Sequence, residues 1–163
     1  MDESVVFCDR DSLEAGYLVE FLKNRRVPQN LFYLVNGADS FYSYRNAEVE
    51  QIPWREEYEF FLRQSLWTKD QSLGFISLGC GNARPEKQLL RHLHRDGFDI
   101  SYFGVDSSDA MLALAKATLA DESFPKSFVL ADFGRPEFIT DLHRLTDRFG
   151  SRVYAMIGAT FGN

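Results

Sequence analysis

The sequence has few cysteines and no long apolar run, and both absences narrow the class of protein. Only two cysteines, Cys8 and Cys80, occur among 163 residues, which is too few for a disulfide framework. No run approaches the ~18 apolar residues that a membrane-spanning helix requires. The acidic start MDES is not followed by the apolar segment of a secretory signal. We therefore expect free thiols, no membrane partner and a cytoplasmic location.

Clustered basic charge is also missing. The chain has 18 Lys and Arg against 24 Asp and Glu, a formal net charge of −6, and its basic residues are dispersed. Neutralising nucleic-acid phosphates requires clustered Lys and Arg. The sequence therefore predicts no nucleic-acid partner.

The residue pattern changes near position 70. The length of 163 residues suggests one domain. It is enough to bury a hydrophobic core without disulfide bonds or metal ions to stabilise it. Up to residue 70 the pattern is helical, with an aromatic loop, and after it short apolar runs alternate with helical segments. We therefore divide the chain into a helical N-terminal cap or lid, 1–70, and a Rossmann-like segment, 71–163.

The cap is expected to contain two helices. The first spans Asp11 to Arg26, with Asp11 and Glu14 as a capping box and Pro28 ending it. The second begins at Pro53, which suits a first helical position. The apolar stripe of the first helix comprises Leu13, Tyr17, Leu18, Phe21 and Leu22.

The second segment is typical of an α/β protein with a mostly parallel sheet. Its apolar runs are Gly74–Leu78, Ile100–Val105, Ser127–Leu130 and Arg152–Ile157. Its helical segments are Pro85–Arg95, Ser108–Leu119 and Pro136–Phe149. Strands and helices alternating in this way predict βαβ units, whose right-handed crossovers place helices on both faces of the sheet.

The residues that follow these runs are the candidates for ligand binding, because open parallel sheets bind ligands at the carboxyl ends of their strands. The first run is followed by GCGNA, whose Gly79 and Gly81 let the backbone approach a ligand. Asp106 follows the second run and could accept hydrogen bonds from ribose hydroxyls. Asp132 follows the third and could accept from an exocyclic adenine amine. Together they indicate a ligand that contains adenosine.

Two other nucleotide motifs fit poorly. The dinucleotide fingerprint G-x-G-x-x-G is met at Gly79 and Gly81, but Arg84 stands where the third glycine would be. The pattern G-x-x-x-x-G-K-[ST] of phosphate loops is absent. A nicotinamide-dependent oxidoreductase remains an alternative.

The segment LGCGNA with the acidic residues Asp106 and Asp132 resembles the class I S-adenosylmethionine-dependent methyltransferases from about Leu73 onwards. The end RVYAMIGATFGN and the loop FYSYRNAEVE are similar to the histidine-specific methyltransferases of the ergothioneine pathway. With LFYLV at 31–35, the resemblance covers most of the chain. It implies S-adenosylmethionine as cofactor, Tyr42 lining the substrate site, and Asn163 holding the substrate's amino or carboxylate group.

On this interpretation the cofactor contacts lie at the ends of all four runs. They are Gly79, Cys80, Gly81, Asp106, Ser107, Asp132, Phe133 and Gly158. We assign no catalytic acid, base or nucleophile and no metal ligand, since His92 and His94 point to different faces of their helix. Cys80 is expected to be a small filler whose backbone amide faces the ligand.

Simpler interpretations exist for the same residues. Gly79 and Gly81 could only make a tight turn, and Asp106 could only cap the helix that follows, although Ser108 can do that. Asp132 could be a loop residue, and Tyr42 could pack against the second helix of the cap.

The sequence as a whole predicts an S-adenosylmethionine-dependent methyltransferase acting on an amino-acid or other small-molecule nitrogen. We expect the chain to be an N-terminal portion of such an enzyme, with a sheet truncated after its fourth strand and a sheet edge able to self-associate. An inactive, truncated cofactor-binding domain is the non-enzymatic alternative.

Overall fold

The computed structural model describes residues 3–7, 9–25, 59–60, 68–133 and 135–157. Within them, five parallel strands form one sheet. The strands are β1 (Glu3–Val6), β2 (Leu73–Leu78), β3 (Ile100–Asp106), β4 (Lys126–Leu130) and β5 (Ser151–Ala155). The helices are α1 (Arg10–Asn24), α2 (Arg84–Arg95), α3 (Asp109–Thr118) and α4 (Phe138–Thr146).

The three central strands are buried on both faces, which explains why they are almost continuously apolar in sequence. Successive side chains of a strand point to opposite faces. Accordingly Phe75 and Tyr102 lie in one core cluster, whereas Ile76 and Phe103 lie in a second. The sheet therefore separates two apolar layers.

Helices cover both of these layers. The cluster that contains Phe75 also takes Leu13 from α1, Leu89 from α2 and Leu112 from α3. Leu142 of α4 belongs to the cluster on the other face. The Rossmann-like α/β fold, with a parallel sheet and helices on both faces, is thus confirmed.

The order of the strands creates the crevice at which such folds bind ligands. The sheet order is β1-β4-β3-β2-β5, so the chain moves outward from β2 through β3 to β4 and then returns to place β5 on the other side of β2. Direction reverses beside β2, and the carboxyl end of β2 leads into the glycine turn. The topological switch point therefore lies at that turn.

The N-terminal part differs from its prediction in several ways. Glu3–Val6 forms the strand β1, which pairs with β4 and which no apolar run had indicated. The cap of α1 is Asp9, which accepts from the Ser12 amide at 2.9 Å, so the capping box predicted at Asp11 and Glu14 is wrong. The helix ends at Asn24, ahead of Pro28, and its C-cap residue Arg25 has a φ of 54°.

Only part of the predicted stripe on α1 is buried. Leu13 and Tyr17 are 2% and 5% exposed, whereas Leu18 and Leu22 are 54% and 62% exposed. The segment LFYLV at 31–35 lies outside the described residues, as does the helix from Pro53 except for Glu59 and Phe60, which are helical. The division near residue 70 stays a prediction. None of the helices in the described part of the chain is long and apolar enough to cross a membrane.

Candidate functional site

The turn between β2 and α2 is fastened to the neighbouring strand by its own backbone. Gly79 and Gly81 have φ of 67° and 52°, a left-handed conformation that glycine adopts without a steric cost. The amides of Gly79 and Cys80 both donate to the carbonyl of Val105, at 2.8 and 3.0 Å. The turn is therefore held against the end of β3.

Asp106, the last residue of β3, completes this attachment with its side chain. Its Oδ2 accepts from the amide of Gly81 at 2.9 Å, and its Oδ1 accepts from the amide of Ser108 at 3.0 Å. The amide of Ser107 also donates to this carboxylate. The acidic residue predicted for ribose binding thus also organises the glycine turn.

The environment of Asp106 shifts its titration. The residue is only 9% exposed, and burial raises the pKa of its carboxyl group above the ordinary value. The amide hydrogen bonds from Gly81, Ser108 and Ser107 act in the opposite direction and are the smaller effect.

Asp106 is not the residue that caps the next helix. The cap of α3 is Ser108, whose hydroxyl oxygen accepts from the Met111 amide at 3.3 Å. This leaves Asp106 with spare accepting capacity, since each carboxylate oxygen can accept two hydrogen bonds.

The end of β4 lies beside Asp106. The amide of Ala131 donates to the Asp106 carbonyl at 3.0 Å, and the half-buried Asp132 and Phe133 follow immediately. The ring of Phe133 packs on that of Phe138 with centroids 5.3 Å apart. The predicted adenine-side residues are therefore brought to the same edge of the sheet as the glycine turn.

Cys80 has a structural place within the turn. Its backbone amide donates a hydrogen bond to the carbonyl of Val105. The expectation that this amide faces a ligand is therefore wrong. Its thiol is buried, and burial, followed by the charges of Asp106 and Glu86, raises the pKa of the thiol well above its usual range. The side chain is thus held as a neutral thiol, which is a poor nucleophile.

A buried polar pair beneath the turn was not anticipated from the sequence. Ser77, near the end of β2, donates its hydroxyl to Glu86 Oε1 in the first turn of α2, at 2.5 Å. Both residues are fully buried. The only sequence signal was a carboxylate close to a helix N-terminus, which is ordinarily read as a solvated residue.

Three predicted site residues, Tyr42, Gly158 and Asn163, lie outside the described residues. Among the residues that are described, no three His, Cys, Asp or Glu side chains come together as a metal site would require.

The site fits an adenosyl ligand on two observations of its geometry. A Cβ built on Gly81 would meet nothing within 4 Å, so space is open beside the turn. Next to that space, the carboxylate of Asp106 retains the capacity to accept a hydroxyl group.

Comparisons with known proteins agree with this geometry. The family model described as "Histidine-specific methyltransferase, SAM-dependent" matches residues 14–163. The match confirms the resemblance to this family that was drawn from the segments RVYAMIGATFGN and FYSYRNAEVE, and with it S-adenosylmethionine as the cofactor. No curated protein matches the chain.

Two similar solved structures are those of longer chains, and this chain matches only part of each. The CMeT domain of the citrinin polyketide synthase is 17% identical with a TM-score of 0.48, over 78% of this chain. A protein from Listeria monocytogenes assigned to the class I S-adenosylmethionine-dependent methyltransferases is 15% identical with a TM-score of 0.40, over 79%. This chain spans 35% and 37% of the lengths of those two chains.

Proposed function

Since this chain belongs to the family of histidine-specific, SAM-dependent methyltransferases, we propose that the whole protein transfers a methyl group from S-adenosylmethionine to a nitrogen of an amino acid or another small molecule. The observation that carries the proposal is the buried carboxylate of Asp106, hydrogen-bonded to the amide of Gly81 at the carboxyl edge of the sheet. A carboxylate directly beside a turn that a ligand can approach supports a role in accepting from ribose hydroxyls.

The roles at the centre of the site follow from that arrangement. Asp106 accepts hydrogen bonds from the ribose, and the neighbouring Ser107 lies along the same edge. Gly79 and Gly81 allow the methionine part of the cofactor to approach the backbone, because neither carries a side chain that would fill the space. Cys80 supports the turn from beneath.

The remaining contacts flank this centre. Asp132 accepts from the exocyclic amine of adenine, and Phe133 offers an apolar surface beside the ring. Gly158 lies near the cofactor at the fourth predicted strand end, while Tyr42 and Asn163 place the acceptor molecule.

The chemistry asks for positioning more than for acid–base groups. The cofactor supplies a methyl group already activated by its sulfonium. The protein must hold an unprotonated acceptor nitrogen in line with that methyl carbon, which is an effect of proximity and orientation. This is why the proposal assigns no catalytic acid, base or nucleophile to the chain.

Isothermal titration with S-adenosylhomocysteine and, separately, with NAD tests the proposal. Binding of S-adenosylhomocysteine without binding of NAD is the expected result. Binding of NAD alone would refute the methyltransferase proposal in favour of the oxidoreductase. Binding of neither would show that this chain does not form the cofactor site and would support the inactive, truncated domain.

We further propose a cytoplasmic protein with a small-molecule substrate and neither nucleic-acid nor membrane partners. Within the described residues β5 lies at one edge of the sheet, and its Tyr154 and the following Met156 are exposed. An unpaired edge can pair with a second copy. Sedimentation velocity at increasing concentration would reveal such self-association, and a constant sedimentation coefficient would exclude it.

A further inference from the structure

The strongest unexplained feature of the molecule is the buried pair formed by Ser77 and Glu86. Both residues are 0% exposed, although serine and glutamate are rarely buried so completely. The Ser77 hydroxyl donates to Glu86 Oε1 at 2.5 Å, a length typical of a hydroxyl bonded to a carboxylate. The roles assigned above to the cofactor site use neither residue.

Glu86 lies where the start of a helix stabilises negative charge. Glu86 is the third residue of α2, which begins at Arg84, so it lies at the positive end of the helix dipole. The cap residue Ala83 supplies no side-chain hydrogen bond to this terminus. The helix end and the Ser77 hydroxyl therefore both act to stabilise a negative charge on Glu86.

The charge of Glu86 reaches the glycine turn. Glu86 and Asp106 both act electrostatically on Cys80 and raise the pKa of its thiol, after the larger effect of burial. Both carboxylates therefore act on the same residue of the turn. Asp106 is 9% exposed and Glu86 is 0% exposed, so water screens the charge of Glu86 less.

We infer that Glu86, oriented by Ser77, is a positioning and specificity residue whose negative charge favours a cationic sulfonium ligand over the neutral thioether left after methyl transfer. The inference rests on the proposed function and adds to it the means by which the site distinguishes cofactor from spent product. The carboxylate acts through the turn and touches neither ligand.

The physical basis is the difference of one positive charge between the two ligands. S-adenosylmethionine carries a sulfonium, and S-adenosylhomocysteine has an uncharged sulfur at the same atom. The ligands also differ by the transferred methyl group, while their other hydrogen-bonding and charged groups are the same. A purely structural contribution of Glu86 would change both affinities by the same factor, whereas an electrostatic contribution changes their ratio.

The test measures dissociation constants for both ligands in the 163-residue chain and in Glu86→Gln. The amide keeps the size of the side chain and an oxygen that accepts from Ser77, and removes the charge. We expect the variant to weaken S-adenosylmethionine binding by about fivefold more than S-adenosylhomocysteine binding. Equal changes for the two ligands, or no change, would overturn the inference.

Two further variants control the result. Glu20→Gln makes the same change in net charge at an exposed position of α1, where water screens the charge, and should leave the ratio unaltered. The double variant Ser77→Asp with Glu86→Gln moves the carboxylate to the strand side of the pair and should restore the ratio. The double variant also tests the inference if Glu86→Gln alone does not fold, because a ratio that differs from the parent chain would contradict it.

The outcomes separate this inference from the proposed function. If the parent chain binds neither ligand, the proposed function fails for this chain and the inference fails with it. If both ligands bind and the ratio does not respond to Glu86→Gln, only the inference is overturned.

Discussion

The backbone amide of Gly81 donates a hydrogen bond of 2.9 Å to Oδ2 of Asp106, across 25 positions of sequence. This bond joins the turn that follows β2 to the end of β3. Because the same carboxylate is also the expected acceptor for the ribose, the shape of the turn and the affinity for the cofactor depend on one side chain.

Replacing Asp106 should therefore weaken cofactor binding strongly. Asp106→Asn keeps the size of the side chain but removes its charge and half of its accepting capacity. We expect the dissociation constant for S-adenosylhomocysteine, measured by isothermal titration, to rise by about tenfold or more, in line with the loss of a charge-assisted hydrogen bond. The matched control is Asp109→Asn, an exposed position three residues later, which should leave affinity within about twofold. Unchanged affinity in Asp106→Asn would contradict the ribose role.

Ligand affinity should also fall on acidification. Burial raises the pKa of Asp106 above its ordinary value of 3.8, and the protonated group cannot accept as a carboxylate does. Binding of S-adenosylhomocysteine should thus weaken as the pH drops through this raised pKa, with a midpoint above 3.8. In Asp106→Asn the acid dependence in this range should be smaller. A midpoint at or below 3.8 in the parent chain would contradict the prediction.

The same raised pKa should affect the free energy of unfolding in the opposite direction to ligand affinity, because stability falls as the pH rises. A carboxyl group with a raised pKa in the folded state holds its proton more tightly there than in the unfolded chain. Its contribution to the free energy of unfolding is therefore fully present below 3.8 and is lost as the pH rises through the folded pKa. Urea unfolding between pH 4 and 7 should show that Asp106→Asn, which cannot ionise, lacks this loss. A parallel pH dependence in both proteins would contradict the expectation.

Gly104 should tolerate no side chain. A Cβ at this position would lie 2.9 Å from Tyr102 Cε1 and 3.1 Å from Cys80 Sγ, inside a buried strand. Gly104→Ala should lower the free energy of unfolding by about 1–3 kcal/mol, the usual cost of overpacking a core. The control Gly16→Ala lies in α1 with nothing within 4 Å of the new atom, and should raise it by about 0.5–1 kcal/mol. Denaturant titration measures both, and equal effects would refute the steric argument.

Arg91 of α2 pairs with two carboxylates in the segment before β4, one buried and one exposed, so the effect of burial on an ion pair can be compared. Arg91 donates to Glu122 at 2.5 Å and to Asp121 at 3.3 Å, but the side chain of Glu122 is 8% exposed and that of Asp121 is 61% exposed. Glu122→Gln should cost about 1–3 kcal/mol, as for a buried hydrogen bond to a charged group. Asp121→Asn should have a smaller effect that disappears at high salt. Equal losses would mean that burial does not set the strength of these pairs.

The central part of the fold could be predicted because its pattern is local. The runs that became β2, β3 and β4 are buried on both faces, so each is almost continuously apolar and visible in the sequence. The strand ends at Gly79, Asp106 and Asp132 followed directly from those runs. The strand β1 was not predicted, because its four residues, ESVV, are too few to show a strand pattern in the sequence. They form a strand because they pair with β4.

Details of hydrogen bonding were less accessible. Asp9 and Asp11 are both acceptable helix caps, and the choice of Asp9 depended on which residue reached the Ser12 amide. The amide of Cys80 was expected to face the ligand, but it found the carbonyl of Val105. In each case several groups could form the hydrogen bond equally well, and which of them does so depends on the distances in the folded structure.

The sequence by itself determined the α/β class, the order of strands and helices after residue 70, the acidic residues at two strand ends and the family to which the chain belongs. These depend on periodicity and on short motifs, which nearby residues carry. Only the tertiary structure decided that β5 lies beside β2, that Asp106 holds the glycine turn, and that Ser77 and Glu86 form a buried pair beneath it. Those relations join distant parts of the chain, and they exist because packing brings their partners within hydrogen-bond distance.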